Sequence, residues 1–179
     1  MAIEPRVFTA KDGREVVLRS VKWEDLDDLL ELINSLVEEG TDIVLTKKVT
    51  RNEEAEWLGR FLIRVEKREI INCVAEVEGK VVANSEIGKR EGCMSHVGGF
   101  GIAIKQGYRG IGLGTRMMQT LLEESRKAGL KIVVLEVFDT NEIAKRLYRE
   151  MGFKEAGRIP KGVYKNGKYV DSIRMTLQL

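Results

Sequence analysis

Glycine is concentrated in one segment of this 179-residue chain, at a position where backbone groups could do chemistry. Nine of the 18 glycines lie between Gly88 and Gly114, and the densest part follows a short apolar run and precedes a helical pattern. A strand that passes through glycines into a helix points several free N–H groups, and the positive end of the helix dipole, at one place. The sequence therefore predicts an anion site there, with phosphate as the expected ligand.

The spacing of these glycines excludes two common nucleotide-binding motifs. The phosphate loop of nucleotide triphosphatases is GxxxxGK[ST], but Leu113 and Gly114 stand where its lysine and hydroxyl residue would be. The dinucleotide fingerprint GxGxxG needs a third glycine where this chain has Thr115. The phosphate ligand therefore belongs to another class.

A second set of candidate residues lies further along the chain. Asn141, Ala144 and Tyr148 are spaced i, i+3 and i+7, so they share one face of a helix predicted over residues 141–151. A tyrosine phenol has a pKa near 10, so the Tyr148 hydroxyl keeps its proton at neutral pH.

Four helices are predicted from apolar residues at helical spacing. The first is followed by Gly40, which enters the left-handed conformation of a helix end at little cost. The second is expected to begin after Thr50, because Thr50 and Glu53 can form a capping box. The four helices are expected at residues 23–39, after residue 50, at 115–128 and at 141–151.

Seven strands are predicted between and around these helices. Glu78-Gly79 and Asn166-Gly167 each separate two strand patterns, as in β-hairpins. Residues 131–138 form a near-continuous apolar run, which is typical of a strand buried on both faces. The predicted strands cover residues 15–19, 70–77, 80–87, 100–104, 131–138, 162–164 and 169–177. This order predicts an α/β fold (α+β mixed sheet), with a central mixed twisted sheet and helices on both faces.

Composition narrows the class of protein further. The chain has 43 % hydrophobic and 32 % charged residues, which gives it enough apolar area to fold, and no linker or repeat divides it. With 30 basic against 28 acidic residues, the chain has no strong positive electrostatic field that would attract nucleic acid. Cys73 and Cys93 have neither disulfide-framework nor zinc-site spacing, and no metal is expected. The absence of a leader or a long apolar segment predicts a cytoplasmic protein with no membrane partner.

Two motifs in the chain resemble those of one enzyme family. The run Arg109-Gly-Ile-Gly112-Leu-Gly114 matches [RQ]-x-x-G-x-[GA], and the run from Asn141 to Phe153 matches N-x-x-A-x-x-x-Y-x-x-x-G-F. On these motifs the sequence is identified as a member of the GNAT superfamily of acetyl-CoA-dependent N-acetyltransferases. The resemblance covers the chain from about residue 17 onward and implies the GNAT-like acyl-CoA N-acyltransferase fold for residues 1–179, as a single N-acetyltransferase domain.

The resemblance also implies where acetyl-CoA binds. Backbone amides of the glycine segment would hold its pyrophosphate, with support from the Arg109 side chain, and the strand at 100–104 would pair with its pantetheine arm. One backbone N–H near Ile102 would polarise the thioester carbonyl, and Asn141 would form a hydrogen bond with the cofactor. The implied cofactor-binding residues are Ile102, Ala103, Ile104, Arg109, Gly110, Ile111, Gly112, Leu113, Gly114, Thr115, Asn141 and Ala144.

The implied catalytic acid is Tyr148, whereas the base is left open. Many relatives carry His-x-x-Glu before the glycine segment, but this chain has Gly99 at the position of that acid. The candidates are Glu86, His96 and Glu136, with a chain of ordered water molecules as a further alternative.

The acceptor is expected to be a primary amine that attacks acetyl-CoA directly in a ternary complex. Residues 157–175 are similar to the ends of the phosphinothricin-type and the ribosomal-protein N-terminal acetyltransferases, so both a small amine and a protein N-terminus are open. Tyr164 and Tyr169 either contact this acceptor or form a cross-strand packing pair. A non-catalytic CoA-binding or sensing domain is the alternative function, and the oligomeric state is open, with a homodimer as one alternative.

Overall fold

The computed structural model describes residues 3–179. The strands are β1 (Arg6–Thr9), β2 (Glu15–Arg19), β3 (Ile70–Val77), β4 (Lys80–Lys89), β5 (Val97–Ile104), β6 (Ile132–Phe138), β7 (Lys154–Lys165) and β8 (Lys168–Gln178). The helices are α1 (Leu26–Glu39), α2 (Arg51–Glu66), α3 (Leu113–Lys127) and α4 (Glu142–Glu150), with short 3-10 turns at Trp23–Asp25 and Gly92–Met94. No helix in the described range is both long and apolar enough to cross a membrane.

All eight strands form one mixed sheet with helices on both faces. The strand order is β1-β2-β3-β4-β5-β6-β8-β7, and β5 and β6 are the parallel neighbours among otherwise antiparallel pairs. Helices α1 and α2 cover one face around Leu58 and Val74, and α3 covers the other around Met117 and Leu121. The predicted α/β mixed-sheet fold is confirmed.

The local signals at turns and helix ends behave as predicted. Gly40 ends α1 with φ 68°, and Thr50 and Glu53 form a capping box at the start of α2. The Asn166-Gly167 turn has φ 52° and 76°, the paired positive values that a type I′ hairpin requires. These signals are local because each depends on the conformation of one or two residues.

The predicted elements differ from the structure at four places. The strand β1 was missed, and β5 begins at Val97 rather than at residue 100, because its glycines carry no strand propensity. The strand β7 starts at Lys154, eight residues before the predicted start at 162, and lies almost wholly in solvent, so it shows no alternation of buried and exposed residues. The 3-10 turn at Trp23–Asp25 replaces the first turn of the predicted first helix.

The expectation that residues 131–138 are buried on both faces was wrong. Val133, Leu135 and Val137 are buried. Of the residues between them, Val134 is partly exposed and Glu136 is exposed. The reason is that α1 and α2 pack chiefly over β3 and β4 and leave this face of β6 only half covered.

The parallel strands β5 and β6 separate along their length. They pair only from Val97 to Gly99, opposite residues 132–134. From residue 100 to Ile104, β5 is still paired with β4 on one edge, but its other edge has no partner strand within residues 3–179. A wedge therefore opens in the sheet, with α3 and α4 beginning beside it.

Candidate active site

The wedge leads into a cavity of about 480 Å³. Its lining comes from four parts of the chain that the sequence keeps well apart: the β1–β2 turn, the end of β5, the start of α3 and one face of α4. The lining residues are Lys11, Ile102, Ile104, Arg109, Gly110, Gly112, Gly114, Thr115, Asn141, Ile143, Ala144, Arg146, Leu147, Tyr148 and Glu150. The structure thus brings together the glycine segment and the Asn141–Ala144–Tyr148 face, as the sequence predicts.

One wall of the cavity is the N-terminus of α3, preceded by the glycine loop (residues 105–112). The backbone N–H groups of residues 110–115 have no hydrogen-bond acceptor within residues 3–179. Unpaired amides at a helix start carry partial positive charge, to which the helix dipole adds. This wall therefore presents an anion site made of backbone alone.

The glycines in this wall are required for two different reasons. Gly110 and Gly112 have φ of 77° and 96°, a region that L residues rarely adopt. Gly114 is helical, but a Cβ there would lie 3.1 Å from Leu147 Cδ2 and 3.4 Å from Ile104 Cδ1. Gly110 and Gly112 thus shape the loop, whereas Gly114 lets α3 pack closely against α4 and β5.

The Arg109 side chain binds protein groups. Its Nη1 and Nη2 donate to the two carboxylate oxygens of Glu39 at 2.5 and 2.8 Å, and its Nε donates to the carbonyl oxygen of Ile104 at 2.8 Å. Lys105 makes a parallel ion pair with Glu31. These contacts fasten the glycine loop to α1, so the expected support of a phosphate by Arg109 would compete with Glu39.

Asn141 caps α4 with one side-chain atom and leaves its other polar atom available to a ligand. Its Oδ1 accepts the backbone N–H of Ala144 at 3.1 Å, which satisfies one free amide of the helix start. The side-chain Nδ2 stays available as a donor at the cavity wall. Ala144 and Tyr148 follow on the same face, one and two turns further along.

Tyr148 is 6 % exposed and lies between two aromatic rings. Phe100 of β5 meets it edge-on at a centroid distance of 6.1 Å, and Phe153 lies 6.0 Å away. Burial in these surroundings raises the pKa of the Tyr148 phenol to about 12, because the charged phenolate is poorly solvated there. The group is therefore a neutral proton donor at any physiological pH.

Glu86 lies on the opposite face of β5 from Tyr148. It pairs with Gly101 in register, and its Oε1 is 3.7 Å from where a Cβ on Gly101 would be. Asn84 Nδ2 lies 3.5 Å from Glu86 Oε2, and buried Asn72 in turn donates to Asn84 Oδ1 at 2.7 Å. Burial raises the pKa of Glu86 to about 6, against an opposing attraction from Arg64. The carboxylate does not line the 480 Å³ cavity.

The other two candidate bases are exposed, His96 away from the wedge and Glu136 on its β6 edge. His96 is exposed at the far end of β5, six residues before Ile102, and its carbonyl oxygen accepts from the amides of Lys131 and Ile132. Glu136 is exposed on β6 and accepts from Arg174 Nη2 at 2.5 Å. Neither side chain lines the cavity.

Three predicted cofactor-binding residues do not line the 480 Å³ cavity with their side chains: Ala103, Ile111 and Leu113. Ala103 lines an adjoining cavity of about 330 Å³ on the α1 face of β5, which shares Ile102 and Ile104 with the first cavity. Ile111 and Leu113 would act through their amides, since the Leu113 side chain is buried in the core.

The adjoining cavity is bordered by the segment between α1 and α2. Thr41, Asp42 and Ile43 line it, and the carbonyl oxygens of Thr41 and Ile43 accept from Lys165 Nζ on the β7–β8 hairpin. On the same hairpin Tyr164 and Tyr169 are cross-strand partners with ring centroids 4.8 Å apart, and both are more than 60 % exposed.

Three residues in or beside the cavity had no sequence signal: Lys11 and Leu147 line it, and Glu39 binds Arg109. Lys11, Glu39 and Leu147 stand in ordinary turn and helix contexts, and only the folding of distant segments brings them to the glycine loop.

The sequence model described as "Acetyltransferase (GNAT) family" matches residues 29–153. An L-methionine sulfoximine/L-methionine sulfone acetyltransferase of Pseudomonas paraeruginosa is 26 % identical over 168 residues, which cover 90 % of this chain and 94 % of that protein.

Solved structures show the same architecture. The ribosomal-protein-alanine N-acetyltransferase of Brucella melitensis is 26 % identical with a TM-score of 0.81, covering 90 % of this chain and 99 % of that one. A phosphinothricin acetyltransferase of Sinorhizobium meliloti, solved in complex with acetyl-CoA, is 20 % identical with a TM-score of 0.82, covering 96 % of this chain and 89 % of that one.

Proposed function

The chain belongs to the acetyltransferase (GNAT) family, and on that premise we propose that it transfers the acetyl group of acetyl-CoA directly to a primary amine within a ternary complex. The observation that carries the proposal is the junction of six free amides, an unpaired strand edge and a neutral buried tyrosine around one cavity. The two core clusters on opposite faces of one sheet support a single catalytic domain over residues 1–179.

The residues present fit a CoA thioester. The amides of residues 110–115 would bind the diphosphate, where the two left-handed glycines leave the backbone open to a ligand. The edge of β5 from residue 100 to Ile104 would pair with the amide-bearing pantetheine arm, and Asn141 Nδ2 would donate to the same molecule. When bound, acetyl-CoA supplies an acyl group activated as a thioester.

Two groups of the chain would assist the transfer, one at the carbonyl oxygen of the thioester and one at its sulfur. A backbone N–H of β5 near Ile102 would stabilise the developing oxyanion, since a fixed donor in a dry site favours charge on the carbonyl oxygen. Tyr148 would protonate the departing thiolate from the α4 face.

Glu86 is the base that we propose. It lies on the face of β5 opposite Tyr148, beside the space that Gly101 and Gly99 leave free of side chains. With a pKa of about 6 it is mostly ionised at pH 7 and can accept a proton, directly or through water, from an ammonium acceptor. Neither His96 nor Glu136 is favoured, because both side chains are exposed, His96 lies six residues before Ile102, and Glu136 is already bound by Arg174.

We propose a small amine, with free amino acids as the first class to test. The relative from Pseudomonas acts on methionine derivatives and matches nearly the full length of both chains. The adjoining cavity of about 330 Å³ fits a molecule of that size next to Ile102 and Ala103.

An acceptor screen tests the proposal. Free thiol released from acetyl-CoA is measured with amino acids, polyamines and N-terminal peptides, together with mass detection of the acetylated product. Product from free amino acids is the expected result. Product only from peptides would overturn the acceptor class, and tight binding of acetyl-CoA without any product would favour the sensing alternative.

A further inference from the structure

The β1–β2 turn places a lysine over the start of α3. Lys11 lies next to Gly112, with its Cγ and Cε each 3.9 Å from where a Cβ on Gly112 would be. Its backbone N–H donates to the carbonyl oxygen of Ile111 at 3.0 Å. The side chain thus runs across the first amides of the helix, and it lines the cavity described above.

A neighbouring arginine fixes the turn to the glycine loop. Arg14 Nη2 donates to the carbonyl oxygen of Gly107 at 2.7 Å, and its guanidinium carbon lies 4.3 Å from the centre of the Tyr108 ring. Asp12 binds the same guanidinium. Because both ends of the loop are attached to the turn, Lys11 has a defined place relative to residues 110–115.

Lys11 is also the cation of this cavity that forms no ion pair within residues 3–179. Of the other two basic residues in the lining, Arg109 is bound by Glu39 and Arg146 is bound by Glu150 at 2.8 Å. A free ammonium beside six free amides gives this corner of the cavity the strongest attraction for an anion.

We propose that Lys11 is a further binding residue of the site, whose ammonium binds the diphosphate of acetyl-CoA together with the amides at the start of α3. The inference rests on the proposed function and adds to it a contact from the β1–β2 turn, a segment outside the matched residues 29–153. The diphosphate, rather than the 3′-phosphate, is favoured because Lys11 lies over Gly112, at the centre of the free amides.

Calorimetric titration of the full chain tests this assignment with two ligands, acetyl-CoA and 3′-dephospho-acetyl-CoA. Lys11→Met is expected to raise the Kd of both by about tenfold, the size of one charge-assisted hydrogen bond. Lys11→Arg is expected to keep the wild-type Kd. Lys154→Met serves as the control, because Lys154 is exposed and lines neither cavity.

Three outcomes would count against the proposals in separable ways. An unchanged Kd for Lys11→Met overturns the role of Lys11. A loss confined to the ligand that carries the 3′-phosphate overturns the assignment to the diphosphate. A wild-type protein that binds neither ligand overturns the proposed function itself, whatever Lys11 does.

Discussion

At the scale of single residues, the proposed acid and the proposed base are two side chains whose pKa values are raised by burial. Tyr148 and Glu86 lie on opposite faces of β5, one held by aromatic rings and the other by a chain of two asparagines. Burial raises the pKa of both groups, to about 12 for Tyr148 and about 6 for Glu86, which suits the acid and base roles proposed for them. This difference is what an acid–base pair needs.

Removal of the Tyr148 hydroxyl should lower kcat far more than it changes KM. Tyr148→Phe keeps the ring contacts with Phe100 and Phe153, so we expect a fall in kcat of about 100-fold with a stable fold. Steady-state kinetics with acetyl-CoA and the best acceptor measure it, with Tyr164→Phe as an exposed control. A kcat within twofold of wild type would exclude Tyr148 as the acid.

Replacement of Glu86 should change the acidic limb of the pH profile. In the wild type, kcat/KM is expected to rise as pH increases through about 6, because the Glu86 carboxyl loses its proton there and becomes able to accept one. Glu86→Gln should abolish this limb and lower kcat/KM by about 100-fold. Glu136→Gln is the control, since that carboxylate faces solvent and Arg174. A limb that persists in Glu86→Gln would favour a water relay or another base.

At the scale of elements, the starts of α3 and α4 form two walls of one cavity, and each start has a separate structural requirement. The start of α3 leaves its amides free, whereas the start of α4 has one amide capped by Asn141. The cap uses Oδ1 and the ligand would use Nδ2, so the two roles of Asn141 can be separated by substitution.

Two substitutions of Asn141 should separate helix capping from cofactor binding. Asn141→Ser keeps a capping oxygen, so the free energy of unfolding should stay near wild type while the Kd for acetyl-CoA rises several-fold. Asn141→Ala loses both roles and should also lower the free energy of unfolding by about 1 kcal/mol. Urea unfolding and calorimetric titration of the two variants check this. Equal affinity in wild type and Asn141→Ser would restrict Asn141 to a capping role.

At the scale of the whole molecule, a largely buried ion network joins the sheet to the 3-10 turn that leads into α1. Arg19 of β2 donates to both oxygens of Asp25 at 2.7 and 2.8 Å and to Glu76 of β3 at 2.7 Å. Asp25 is only 3 % exposed, at the 3-10 turn that leads into α1. These partners, Asp25 first, raise the pKa of Arg19, so its guanidinium stays charged.

Loss of Asp25 should destabilise the fold strongly, because Arg19 would remain charged without its main partner. We expect Asp25→Ala to lower the free energy of unfolding by about 3 kcal/mol, as for other buried pairs that lose one member. Asp27 lies two residues after Asp25 and forms an exposed ion pair with Arg51. Asp27→Ala should lower the free energy of unfolding by less than about 1 kcal/mol. Urea denaturation of both variants measures the difference, and equal costs would show that burial of the network has no consequence.

Much of the fold could be predicted because its signals are local. Helix spacing, the Thr50–Glu53 capping box and the Asn166-Gly167 turn each depend on neighbouring residues, and all three are confirmed. The strands β1 and β7 were missed or shortened because one has only four residues and the other is nearly all exposed, so neither shows a hydrophobic period.

The sequence by itself determined the family and the glycine-rich start of α3 at which we propose the anion site, since both follow from glycines and from one helix face that are continuous or regularly spaced in the chain. Tertiary structure alone decided which side chains join them. The separation of β5 from β6 forms the wedge, Glu39 binds Arg109, and Lys11 is brought from the β1–β2 turn to the start of α3. The physical reason is distance along the chain. Contacts between residues 70 to 100 positions apart depend on how the sheet and helices pack, so no local sequence pattern can predict them.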